Sequence, residues 1–204
     1  MRLYYAPGSC SMAAHIALRE AGLVFELEKV SFGAPHKTES GAPLAGINAK
    51  NAVPVLRLED GEVLTENAVI LQYIADQVPQ SGLMPAAGTL QRYRLLETLN
   101  FIATELHKAC FAPLFNPTTP DEYKPLARVN LNKRLDYLEA KIPGNGFILG
   151  SSFTIADAYA FVVLNWTHFL GIDLSQWPQL KGLTARVAAR PAVVATLKAE
   201  GLAN

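Results

Sequence analysis

The sequence predicts a chain in two parts, an α/β unit built on a small mixed sheet and then an all-helical unit. Three observations predict this. Residues 1–80 alternate short period-2 apolar patterns with helical ones. Residues 79–89 are rich in Pro, Gly, Ser and Ala, as an interdomain linker is. Beyond them the strand signals vanish. The boundaries read this way are 1–80 and 87–204.

Arg2-Leu3-Tyr4-Tyr5 reads as a strand stopped by Pro7-Gly8. From Ser9 to Ala21, the spacing of Ala13, Ile16, Ala17 and Ala21 makes one apolar helical face, and Gly22 ends it. Phe25, Leu27 and Lys29-Val30 form a second strand. Residues 31–52 read as loop with room for one short helix. Val55–Leu58 and Val63-Leu64 are strands about a Glu59-Asp60-Gly61-Glu62 turn, and Asp-Gly between apolar alternations signals a hairpin. Val69, Ile70, Tyr73 and Ile74 mark a helix ending before Pro79. A parallel pair joined by a helix, then a hairpin and a closing helix, is the layout of a thioredoxin-like sheet.

In the second half, Leu95, Leu99, Ile102, Ala103 and Leu106 keep helical spacing, as do Leu131, Leu135 and Leu138. Thr154-Ile155-Ala156-Asp157 is a capping box with Asp in place of Glu. The helix it opens is apolar nearly all round, which predicts burial at the centre of a bundle. Leu180, Leu183 and Val187 mark another helix, and Pro191 begins a last one as its first residue.

Composition narrows the function. Lys+Arg and Asp+Glu both number 18, so a neutral chain without a basic run has no electrostatic reason to seek nucleic acid or anionic lipid. The most apolar segment, 154–170, carries Asp157, Asn165 and His168 and is short for a membrane span. Two cysteines, Cys10 and Cys110, are a weak disulfide framework for 204 residues, so reduced thiols in a cytoplasm are expected. The histidines, His15, His36, His107 and His168, show no metal-ligand spacing, so no metal is expected.

Three places could carry chemistry. Cys10 opens the first helix, where unpaired N–H groups and the positive dipole end favour a thiolate; the alternative is a small buried residue. Val53-Pro54 precedes a strand. It is either an ordinary strand-opening proline or a cis-Pro that exposes backbone groups to an extended peptide. Thr65-Glu66-Asn67 lies where a strand feeds a helix and either caps that helix or holds the charged end of an amino acid.

The segments Leu3–Ser11, His15–Glu20, Val53–Leu56, Asp60-Gly61, Leu64–Glu66, Asn100–Lys108, Phe153–Tyr159 and Ala199–Leu202 together resemble the bacterial beta-class glutathione S-transferases. The resemblance runs in order along nearly the whole chain. It implies the glutathione transferase fold, with a thioredoxin-like N-terminal domain and an all-α C-terminal bundle, and a homodimer. It also implies glutathione as co-substrate with no other cofactor. Cys10 would contact the glutathione sulfur and can form a mixed disulfide with it, with His107 as its catalytic companion. Tyr5, the backbone of Val53 before cis-Pro54, and Glu66 with Asn67 would line the glutathione site. Asn100, Thr104, Glu105 and His107 would join them, some reaching the site from the partner subunit. The family places a small residue after the glutamate, where this chain has Asn67. Its glycyl-contacting lysine falls in loop 31–37, where either His36 or Lys37 takes that place.

The implied activity is attack of the glutathione thiolate on small hydrophobic electrophiles, in an apolar cleft; Phe111, Phe115 and Trp166 either wall it or are plain core. The alternatives are single-thiol glutathionyl exchange through Cys10 and a non-catalytic binding protein on the same fold. Position 13 is Ala, which closes the two-thiol route.

Overall fold

The computed structural model describes residues 1–31, 33 and 35–203. The chain forms two compact units, Met1–Leu83 together with Arg190–Asn204, and Met84–Ala189.

The first unit holds β1 (Arg2–Tyr5), α1 (Ser11–Glu20), β2 (Glu26–Lys29), β3 (Val55–Arg57), β4 (Val63–Thr65) and α2 (Asn67–Gln77). The sheet order is β2-β1-β3-β4, with β1 parallel to β2 and the other pairs antiparallel. This is the mixed sheet the strand signals predict. Tyr4 and Val55 are paired and share one apolar cluster with Val30 and Leu44. Leu3 and Leu56, one residue over, face the other way and are fully buried, as are Ile16 of α1 and Ile70 and Ile74 of α2.

A correction concerns the chain's end. The sequence reading assigns residues 87–204 to the helical domain, but the last helix packs against α1 in the first unit. Arg190 forks onto the Glu20 carboxylate at 2.6 and 2.7 Å. Glu200 reaches His15 and the Gly8 N–H, both at 2.9 Å. Polar anchors that far apart in sequence leave no periodic signal.

The second unit opens with α3 (Leu90–Phe101), whose N-cap Thr89 accepts from the Arg92 N–H. It runs on as a π-helical segment, Ile102–Phe111, and then as α4 (Ala112–Phe115). Apolar spacing does not reveal the widened turns. Pro113, which lacks an N–H for the Ala109 carbonyl, is a sequence feature that works against an ordinary ladder there. Then come α5 (Tyr123–Glu139), α6 (Ile155–Phe169) and α7 (Pro178–Ala188), with α8 (Pro191–Ala199) returning to the first unit. Glu139, at the end of α5, accepts from the N–H groups of Gln179 and Leu180 and so caps α7.

Helix α6 is buried on all sides from Ile155 to Leu164, as its composition predicts, and emerges at His168 and Phe169. The capping box at its start is formed: Asp157 accepts from Thr154 N and Oγ1 and from Ile148 N, each at 2.8 Å. Burial pushes the Asp157 carboxyl above its usual range, against the pull of those hydrogen bonds. Asp157→Ala removes a cap and orphans two buried N–H groups, so it should cost about 3 kcal/mol. Urea unfolding checks this: a loss near that size fits the bonding, and a neutral substitution does not.

Candidate functional site

The first unit carries Tyr5, Cys10, His36, Lys37, Val53, Pro54, Glu66 and Asn67; the second carries Asn100, Thr104, Glu105 and His107. Pro7-Gly8 turns the chain out of β1 with Gly8 at φ 70°, a left-handed conformation that glycine adopts without strain. The buried Ser11 hydroxyl then ties the helix start to Ala6, at 3.1 Å to its N–H and 3.2 Å to its carbonyl. Cys10, half-buried, sits at the N-cap.

The open N–H groups expected at this helix start are largely taken. Ser11 N donates to Ser9 Oγ, Met12 N to Ser9 O and Ala13 N to Cys10 O. What the helix offers a thiolate here is mainly its dipole. Cys10 Sγ lies 3.5 Å from the Val53 carbonyl oxygen, as a weak donor toward it. The Val53–Pro54 bond is cis, as the resemblance implies, and the Val53 N–H bonds to nothing among the described residues.

The open helix end is at α2. Glu66, its N-cap residue, stands at φ 70°, where a non-glycine residue is strained by about 1–3 kcal/mol. Among the described residues no side chain caps the helix, so plain capping by Thr65, Glu66 or Asn67 is not what this corner does. The N–H groups of Asn67 and Ala68 have no partner among the described residues. Asn67 is 7% exposed, and among the described residues neither its amide oxygen nor its amide nitrogen finds a hydrogen-bond partner. An unpaired buried amide costs about 1–3 kcal/mol. The Glu66 side chain is exposed and held by the Lys50 ammonium, which also donates to Thr65 Oγ1 at 2.7 Å.

Tyr5 is buried with its ring 5.9 Å from that of His15, and burial pushes its phenol up. His36 Nδ1 lies 3.0 Å from the Ser31 carbonyl of its own loop, whereas Lys37 is exposed and its ammonium makes no ion pair among the described residues. Residues 32 and 34 of that loop lie outside the described residues.

His15 is structural. Arg19 Nε donates to its Nε2 at 3.0 Å, so Nδ1 carries the proton and donates to Glu200.

In the second unit, Asn100 and Thr104 are exposed one turn apart, and the Thr104 hydroxyl donates to the Asn100 carbonyl. Glu105 is paired with Arg134 of α5 at 2.9 Å. His107 lies in the π-helical segment with Nδ1 2.8 Å from the Tyr159 hydroxyl. Burial, with help from Lys108, pushes its imidazole down to about 4, so it is neutral at pH 7. Phe111, expected as a cleft wall, is fully buried core packed on Phe115 and Trp166; Phe115 keeps an exposed edge.

Sequence reasoning missed Lys50, Tyr159 and the part Glu200 plays. Lys50 sits two residues ahead of Ala52-Val53-Pro54 in a loop without periodicity, and nothing local marks it.

Residues 8–77 match the model of the glutathione S-transferase N-terminal domain and residues 102–191 that of its C-terminal domain. A glutathione S-transferase GstA from Escherichia coli O157:H7 is 45% identical over 99% of this chain and 100% of its own length. A sphingomonad glutathione S-transferase complexed with glutathione superposes with a TM-score of 0.93 at 48% identity, covering 100% of both chains. A bacterial beta-class enzyme from Sphingomonas chungbukensis does so with a TM-score of 0.93 at 46% identity, again over 100% of both. Two domain models matched in order, and similarity of this degree along the whole length, show that the chain belongs to the glutathione S-transferase family.

Proposed function

We propose that the chain binds glutathione along the β3 start and the α2 N-terminus and transfers its thiolate to small hydrophobic electrophiles. The observation that carries this is the uncapped start of α2 beside the buried, unpartnered Asn67 amide. Two open N–H groups and an amide donor suit the α-carboxylate of a γ-glutamyl group, and Glu66 beside them suits its ammonium. The unpaired Val53 N–H and its carbonyl suit the cysteinyl amide as an added strand. This run ends at Cys10, whose Sγ is beside the Val53 carbonyl. Of the two loop residues, Lys37 is the better partner for the glycyl carboxylate, because the His36 imidazole is engaged by its own loop. The similar sphingomonad enzyme, which holds glutathione, supports this ligand.

In the reaction the glutathione sulfur loses its proton and attacks the electrophilic carbon as the leaving group departs with its electron pair. The dipole of α1 serves the thiolate in this reading. In the second unit neutral His107 is the catalytic candidate, with Asn100, Thr104 and Glu105 beside it as the family resemblance implies, and Phe115 keeps an exposed edge that suits an apolar electrophile. Glutathionyl exchange through Cys10 is the second reading, favoured by the half-exposed thiol. The cytoplasm suits a chain whose described residues form no disulfide, and no helix among them is long and apolar enough to cross a membrane.

A homodimer is part of the proposal. Leu90 and Tyr93 on α3, and Leu126, Val129 and Tyr137 on α5, leave apolar surface exposed on the second unit. A second copy of the chain is the expected cover.

Two outcomes test these readings. Asn67→Ala should raise the melting temperature of the ligand-free chain, because an orphaned amide is removed. It should also weaken glutathione binding about tenfold, roughly 1.4 kcal/mol by calorimetry. Unchanged affinity removes Asn67 from the site. Light scattering at micromolar concentration should report about twice the 22.1 kDa chain mass; a monomer with full transferase activity would refute the dimer.

A further inference from the structure

His107 is held from one side. Its Nδ1 lies 2.8 Å from the Tyr159 hydroxyl, and the rings of Tyr159 and Trp166 stand edge-on to it at 6.1 and 5.0 Å. Nε2 has no hydrogen-bond partner among the described residues, and it is not one of the buried orphan atoms. The ring is therefore gripped at one nitrogen and open at the other.

We propose that Tyr159 is the positioning residue of His107: by donating its hydroxyl proton to Nδ1 it holds the ring proton on Nε2 and confines the imidazole to one tautomer and one orientation, with Nε2 the nitrogen open to a substrate. The inference rests on the reading of His107 as a site residue.

A neutral imidazole has one proton and two nitrogens, and the partner of one nitrogen decides what the other does. The ring is neutral at working pH because burial, aided by Lys108, holds its pKa near 4. Tautomer, not charge, is therefore the property left to fix. Glu105, one residue pair back on the same segment, is turned to Arg134 of α5, and α6 presents Tyr159 and Trp166 to the ring. Among the described residues no other side chain bonds His107.

The grip is well anchored. Tyr159 is 2% exposed and lies two residues after Asp157, whose carboxylate locks the first turn of α6 to Thr154 and Ile148. The hydroxyl thus arrives from a rigid helix. His107 sits on a π-helical segment, whose wider turns present side chains at an offset an α-helix does not reach.

The test uses the full chain labelled with 15N-histidine, with His107→Ala to assign the signal. Near neutral pH the wild type should show His107 in one tautomer, and Y159F should show an average of two. With glutathione and an aryl halide, Y159F should lose roughly tenfold or more in kcat while KM for glutathione stays within about twofold. A ring that merely packs would change neither the tautomer nor kcat selectively. Two tautomers in the wild type, an unchanged tautomer in Y159F or an unchanged kcat in Y159F would each overturn the proposal. The wild-type spectrum decides even if Y159F does not fold. If His107→Ala leaves kcat intact, the catalytic reading of His107 fails instead, and the spectra identify that case separately.

Discussion

Strand β3 is paired on both sides through the same residue, Val55, which lies opposite Tyr4 of β1 and Thr65 of β4. That register determines the first unit's site. It sets Val53-Pro54 two residues ahead of the pairing, next to the turn that leaves β1, where Cys10 Sγ meets the Val53 carbonyl. It also sets Glu66 directly after the residue paired with Val55, at the corner where α2 starts. A slip of one residue would exchange Leu56 for Val55 on the buried cluster and turn every side chain of β3 to the wrong face. With Tyr4, Val55, Leu3 and Leu56 all buried, both faces oppose that slip.

Buried and half-buried carboxylates then hold the irregular parts that the sheet cannot. Glu200 joins the Gly8 N–H to His15, so the turn before Cys10 is tied to the chain's last helix. Glu139 and Asp157 do the same work in the second unit, capping α7 and α6. Each accepts several hydrogen bonds, which is what lets a carboxylate remain in a poorly solvated place. The contrast is Asn67, buried and unsatisfied, with Glu66 strained beside it. Strain and a wholly unpaired amide gathered at one corner support a ligand there; the other buried unpaired side-chain atoms among the described residues are the single Nε atoms of Arg57 and Arg186.

Much of this was legible in the sequence because it is local. The β3–β4 hairpin follows from Asp60-Gly61 between apolar alternations, α6 from its unbroken apolar character, and its start from Thr154 and Asp157. The α3 register was legible through Ile102, but the π-helical segment was not, since apolar spacing alone does not separate a turn of 3.6 residues from a wider one. The place of α8 depends on Glu200 and Arg190 finding partners far away in sequence. The α1 start read as open because helix rules leave its N–H groups unpaired, whereas Ser9 supplies acceptors that only the folded turn brings near. The family resemblance supplied the candidate site residues; the structure added Lys50, which no pattern marks, and the contact of the Tyr159 hydroxyl with His107, which the resembling segment Phe153–Tyr159 does not reveal.

The central claim is that Cys10 sits in a glutathione site while Cys110 is only packing. Cys110 is 1% exposed, and burial raises its thiol pKa, so it should react slowly. Limiting iodoacetamide near neutral pH, followed by peptide mass spectrometry with and without glutathione, compares the two directly. The account predicts labelling mostly at Cys10 and protection of Cys10 by glutathione. Equal labelling of the two cysteines, or no protection, would contradict it.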